Sequence, residues 1–259
     1  FSFQPVELAK GGLIIILSYI ISRFGRRFEQ PLFFYGTGAI ALLPIFLVML
    51  QPDLGSAVIL WFIWFGLMLM AGVKKRYILA VILLVGFLSV LGWFFILKDY
   101  QKDRLEIFIN PKKDPLGAGY NITQSTIAIG AGRITGRGLG FGSQSQLHFL
   151  PESQTDFIFA VIGEEMGLAG IIAMLSLFAI IFWRIALIIK RADNDFTAFY
   201  ASGIFILFLT QMFTNIGANI GLLPITGVTL PLISYGGSSM LFNLLMLGIL
   251  ESMYCVKHT

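Results

Sequence analysis

The sequence predicts an all-α, polytopic transmembrane helix bundle, and three observations predict it. Of 259 residues, 57% are hydrophobic and 12% charged, where soluble domains carry about 25% charged residues. Mean hydropathy is +0.84. Apolar runs of about twenty residues recur, each long enough to cross a hydrocarbon core of roughly 30 Å at about 1.5 Å per residue. Seven spans are expected within a single membrane domain over 1–259. With that count every basic cluster in a short connection falls on one side, which the positive-inside rule makes cytoplasmic.

The spans follow in order. The first covers 6–22, enters through Gln4-Pro5 and leaves through Arg23, Arg26 and Arg27. Spans two and three, 32–50 and 54–72, are joined by Gln51-Pro52-Asp53-Leu54-Gly55, and Lys74, Lys75 and Arg76 mark the inner side again. Span four, 77–97, opens onto one long extracytoplasmic loop, 98–155, rich in Gly, Pro, Asn and Ser. Within it, 122–129 has the spacing of a short amphipathic helix. Span five, 157–189, is too long for one perpendicular crossing, so it is tilted or its first turns, up to Gly163 or Gly167, stand above the lipid. Spans six and seven, 198–220 and 231–253, precede Lys257 and His258 on the inner side.

The net charge of +4 is spread over short loops, so it reads as topology and not as a nucleic-acid footprint. The single cysteine, Cys255, excludes an intramolecular disulfide and a multi-cysteine metal site. The chain begins at Phe1, almost inside a helix and without a basic n-region, so no signal peptide and a fragment of a longer polytopic protein are expected.

Polar groups gather on the outer side. A charge inside a span costs from about 2.5 kcal/mol upward at the centre, so it usually faces a cavity or a partner. Glu7 and Lys10 stand three apart on one helical face; they either neutralise each other and brace the bundle, or leave Lys10 lining a cavity for an anionic substrate. Asp53, after Pro52, suits a helix N-terminus, and if it approaches Lys10 the three residues form one charge network. Ser153-Gln154-Thr155-Asp156 resembles a capping box at the start of span five. The same position keeps Asp156 ionised and able to accept a proton from a hydroxyl bound at the surface. Of Glu164 and Glu165, two turns deeper, at least one should face the interior, as scaffold rather than chemistry.

The stretch from Gly130 to Gly142 holds six glycines with Arg133 and Arg137. Successive amides and guanidinium groups can grip a diphosphate, although a flexible surface loop is the commoner outcome of such composition. Ser234, Tyr235, Ser238 and Ser239 are candidates for lining the cavity. Serine catalysis is disfavoured there, since His148 is the one histidine expected on that side. His148 and His258 lie on opposite sides and share no metal.

Six motifs then resemble, in register, the SEDS family (shape, elongation, division and sporulation). They are Phe3-Gln4-Pro5-Val6-Glu7-Leu8-Ala9-Lys10, the Gln51 to Gly55 turn, Asp114-Pro115-Leu116-Gly117-Ala118-Gly119-Tyr120, the Gly130 to Gly142 run, Pro151 to Ala160, and Pro231 to Ser239. Gln144 to Leu150 looks more like RodA, the elongation member, than FtsW, the division member. Family members have ten spans, so this chain resembles spans four to ten. The resemblance implies a peptidoglycan glycosyltransferase acting on lipid II at the outer face of the bacterial cytoplasmic membrane, partnered by a class B penicillin-binding transpeptidase. It marks Asp156 as the essential residue, acting as general base, with Glu7, Lys10 and Asp53 at the family's other charged positions. Gln154 stands where histidine is common and His148 where asparagine is common, which argues against a histidine relay beside Asp156. Arg133, Arg137, Lys10 or a divalent cation (Mg or Mn) could balance the leaving diphosphate. A flippase moving the same amphiphile and a non-catalytic scaffold are the rival readings.

Overall fold

The computed structural model describes residues 4–24, 30–95, 102–103, 106–108, 110, 114, 117–146, 149–150 and 152–255. Nine helices lie among them: α1 Pro5–Phe24, α2 Pro31–Leu50, α3 Leu54–Met70, α4 Lys75–Phe95, α5 Ala118–Gly132, α6 Ser143–Gln146, α7 Ile158–Arg191, α8 Asp195–Asn219 and α9 Gly237–Cys255. No strand occurs among the described residues. The long helices α1–α4 and α7–α9 take the places of the seven expected spans. Five of them, α1, α2, α7, α8 and α9, are long and apolar enough to cross a membrane, and α3 is a shorter apolar helix. Arg26, Arg27, Lys257 and His258 lie outside the described residues, as does His148.

The helices group into two compact units, the first comprising Phe1–Val90, Ile181–Thr210 and Gly237–Thr259, the second Leu91–Ile180 and Gln211–Gly236. In the first unit α1 packs on α2, α3 and α9. Its core is made of Ile14, Leu17 and Ile21 from α1, Ile59, Leu60, Ile63 and Leu67 from α3, and Phe33 from α2, all essentially unexposed. Small residues let helices approach, as expected where lipid supplies no hydrophobic drive between them. A Cβ on Gly203 would lie 2.5 Å from Ile14, and one on Gly66 2.7 Å from Ile206. Polar groups inside are satisfied locally: the Thr37 hydroxyl donates to Phe33 O at 3.0 Å, a helix back-bond typical of threonine.

In the second unit α5 extends the expected 122–129 helix at both ends, to Ala118–Gly132. The most informative element is α7, which is broken at Gly167 (φ 64, ψ −159), a backbone region open essentially to glycine alone. A break of this kind strips a helix of backbone pairs: Leu168 and Ala169 lose the carbonyls of Glu164 and Glu165 one turn earlier. The segment after α5 replaces them. Leu168 N donates to Arg133 O and Ala169 N to Ile134 O, while Arg137 N and Gly138 N donate to Glu164 O and Glu165 O, all at 2.9–3.0 Å. All four orphaned groups are thus satisfied, as buried backbone requires. Gly132 and Gly136 make the approach close enough, since a Cβ on either would collide with the α7 backbone at Gly163 and Glu165. Span five therefore resolves as a break: the part from Leu168 to Arg191 is itself long enough for a core of roughly 30 Å.

One boundary departs from expectation. The seventh span, expected from 231, starts as a helix at Gly237. Residues 228–236 are turn and irregular chain, with Leu232 at φ 64, because their polar groups are used elsewhere, as follows.

Candidate active site

Asp156 sits in a tight turn ahead of α7. Glu152 adopts φ 52, and its carbonyl accepts from the amides of Thr155, Asp156 and Phe157 at 3.1–3.3 Å. The Thr155 hydroxyl donates to the Glu152 carboxylate at 3.0 Å. The other side of the turn is held by a second set of donors. Tyr235 N donates to Gln154 O at 2.8 Å, and the Ser234 hydroxyl donates to Thr155 O at 2.6 Å while accepting from Leu230 N at 2.8 Å. Asn215 and Asn219 both aim Nδ2 at the carbonyl of Asp156, each at 2.9 Å. Three consecutive carbonyls, 154 to 156, are gripped from one side.

The two asparagines are four apart on α8 and so share a face. Asn215 also donates to Val228 O at 2.8 Å. Asn219 donates to Asn215 O at 2.9 Å, and its Oδ1 accepts from Ala160 N at 3.2 Å. The Ser125 hydroxyl of α5 holds Asn219 O at 2.6 Å. Beneath lies a small apolar core of Ala128, Leu150, Phe157 and Ala160. Its packing and the buried amides together fix the main chain of Asp156, since a buried polar group left unpaired costs about 1–3 kcal/mol. The capping of α7 is accordingly not the capping box expected from Ser153: the side chain that reaches its first turn is Asn219.

With its backbone so fixed, Asp156 lines a small, partly open cavity of about 10 Å³, together with Phe157, Asn215, Ala218, Ile225, Thr226, Gly227 and Val228. A Cβ on Gly227, which sits at φ 71, would lie 3.7 Å from Asp156 Oδ2. The carboxylate thus lies beside a stretch of wall that carries no side chain.

The remaining candidates fall into place separately. Lys10 Nζ meets Glu7 Oε1 at 2.8 Å, with both residues buried, while Glu7 Oε2 has no partner among the described residues. Asp53 caps α3, accepting from Ser56 N at 3.0 Å; among the described residues no ion pair joins it to Lys10, so the three-residue network is not formed. Of the two glutamates, Glu164 is fully buried and Glu165 half-buried, which agrees with one facing the interior. Arg133 and Arg137 have exposed side chains, and Arg137 Nη1 donates to the Ser143 hydroxyl at 2.6 Å. The amides of Gly136, Arg137 and Gly138, which a phosphate nest would need, are turned to Gly132 O and the α7 backbone instead. Ser234 serves the turn described above, Ser239 is buried and accepts from Asn243 at 3.4 Å, Ser238 is half-buried, and Tyr235 is exposed. Among the described residues no three His, Cys, Asp or Glu side chains gather as metal ligands, so no residue set is assigned to a divalent cation.

Asn215, Asn219 and Ser125 are the functional residues that sequence reasoning missed. The available signal was two asparagines at i and i+4, with Gln211 one turn before them, in a mostly apolar helix, since polar side chains in a span usually hold something.

These features define a polytopic helical membrane protein organised around one backbone-clamped carboxylate. The chain matches the FtsW/RodA/SpoVE family of cell cycle proteins over residues 1–258. It is 41% identical over 256 residues to the peptidoglycan glycosyltransferase MrdB of Escherichia coli (strain K12), covering 97% of this chain and 68% of that one. It is 40% identical over 255 residues to the probable peptidoglycan glycosyltransferase FtsW of Geobacter metallireducens, covering 96% and 66%. Among solved structures it resembles a chain of a peptidoglycan synthase complex described as coordinating polymerization and crosslinking (TM-score 0.78, 30% identity, 98% of this chain and 71% of that one). It also resembles the rod shape determining protein RodA of Thermus thermophilus (TM-score 0.65, 27% identity, 96% and 64%). The chain belongs to the FtsW/RodA/SpoVE family and is a RodA-like peptidoglycan glycosyltransferase. It spans about two thirds of the length of these curated relatives.

Proposed function

We propose that the chain polymerises lipid II into glycan strands, with Asp156 as general base. Its carboxylate removes the proton of an acceptor sugar hydroxyl while that oxygen bonds to the anomeric carbon of the lipid-linked donor. The bond from that carbon to the diphosphate breaks, and its electron pair leaves with the diphosphate. The observation that carries this reading is the clamp on carbonyls 154 to 156, which holds one carboxylate at the rim of a cavity; positioning a base in this way suits general-base catalysis.

The leaving diphosphate is already anionic, so the site needs cations more than an acid. In this reading Arg133 and the donors of Arg137 beyond Ser143 supply them. The site faces outward from the bacterial cytoplasmic membrane, because basic residues crowd the opposite connections. The partner is a class B penicillin-binding transpeptidase and the role is cell elongation and shape, in keeping with the synthase-complex neighbour and the RodA-like relatives.

The test uses the full-length protein in vesicles with labelled lipid II. Asp156→Asn keeps the shape and removes the basicity, and should lower polymerisation by about 10²–10⁴-fold, the usual worth of a general base. Wild-type chain growth by that variant would overturn the assignment, and translocation of lipid II without any polymer would favour a flippase.

A further inference from the structure

Glu164 is the most deeply placed acid in the second unit, with no exposed surface. The break at Gly167 does not account for it, because the four backbone groups freed there are paired by 133–138 alone. Its carboxylate reaches sideways. Oε1 accepts from Gln144 N at 2.9 Å and from the Ser143 hydroxyl at 3.3 Å, and that hydroxyl in turn accepts from Arg137 Nη1 at 2.6 Å. The guanidinium is thus coupled to a buried carboxylate through one hydroxyl, which is how an acid becomes tolerable inside a protein.

The grip continues along the chain. Gln144 O accepts from Leu150 N at 3.2 Å. Leu150 is buried against Phe157 and Ala160, the residues that flank the turn carrying Asp156. The loop before Asp156 is therefore held at both ends: Asn215, Asn219 and Ser234 hold the near end, and Glu164 holds the far one.

We propose that Glu164 is a positioning residue for Asp156, its carboxylate anchoring Ser143 and Gln144 so that the loop delivers the reacting group to the cavity in one place. The inference rests on Asp156 being that reacting group. A displacement of about 1 Å can cost on the order of 10²-fold in rate, so a distant anchor of this kind is read in kcat and not in substrate affinity.

The experiment compares Glu164→Ala, Glu164→Gln and Ser143→Ala in the full-length protein, reconstituted with lipid II. Glu164→Ala should lower kcat by about 10- to 100-fold with little change in KM, and amide exchange should accelerate within 143–157. Glu164→Gln keeps an acceptor oxygen for both donors and should recover most of the rate. Ser143→Ala should show a smaller loss in the same segment, and it serves if Glu164→Ala does not fold. Wild-type kcat in Glu164→Ala would overturn the proposal, as would equal losses in the Gln and Ala variants, which would mean that the charge itself acts. If Asp156→Asn proves fully active, the base assignment falls, and accelerated exchange in Glu164→Ala still reports the anchor by itself.

Discussion

Asn219 offers a test that separates hydrogen bonding from space filling. Its side chain makes three short bonds, Nδ2 to the carbonyls of Asp156 and Asn215, both at 2.9 Å, and Oδ1 from Ala160 N at 3.2 Å, and a longer one from Nδ2 to Asn215 Oδ1 at 3.4 Å. Alanine removes them all but orphans little. Asp156 O keeps Asn215 Nδ2 at 2.9 Å, and Ala160 N keeps Phe157 O at 3.0 Å. At about 0.5–1.5 kcal/mol net for each of the three short bonds, Asn219→Ala should cost about 1.5–4.5 kcal/mol. Aspartate has nearly the same shape, and it retains the acceptor for Ala160. In place of the donor it puts an oxygen against two carbonyl oxygens, in a residue only 1% exposed. An uncompensated buried charge costs about 3–5 kcal/mol, so Asn219→Asp should be the worse of the two despite fitting better. Unfolding of the purified protein in detergent gives the order of stability, and lipid II polymerisation should fall in the same order. Aspartate matching the wild type, or alanine proving the more damaging, would show that position 219 works as volume and that the clamp does not hold Asp156.

Two further perturbations probe the scaffold. Gly167→Ala would force a side-chain-bearing residue into that glycine region at about 1–3 kcal/mol and drive a Cβ against Gly136 N and Ile134 O; unfolding should come earlier and amide exchange at 133–138 should accelerate, whereas unchanged exchange would deny the backbone swap. Lys10→Met leaves Glu7 buried without its cation and should destabilise by about 3–5 kcal/mol, with the double variant Glu7→Gln/Lys10→Met recovering most of it; thermal unfolding of single and double variants decides, and an additive double loss would mean that the pair does not interact.

Much of the fold was legible because a bilayer turns length and hydropathy into structure. A run such as 31–50 has few alternatives to a helix when no water can satisfy its backbone. The same logic misled at 231–236, an apolar stretch that reads as the start of the last span. Its donors, Ser234 Oγ and Tyr235 N, go to carbonyls 155 and 154, and a pairing with chain about eighty residues away leaves no local periodicity. Asp156 itself was visible as a carboxylate at the mouth of an apolar helix. The asparagines that hold it were not, since an amide in a span signals only that some partner exists. The glycine run misled in another way: its amides suit a phosphate, but they suit a broken helix equally, and the positive φ of Gly167 cannot be read from composition.

The exchange of backbone bonds across Gly167 also turns part of the sequence into a ring. With Gly138 fastened to Glu165 and Ile134 to Ala169, the chain from 139 to 164 leaves and returns to one fixed point, and Asp156 rides on its circumference. Its contour length bears on the site as much as its side chains do: a residue added or removed between Glu152 and Asp156, where the turn is pinned on both sides, carries the carboxylate away from its cavity.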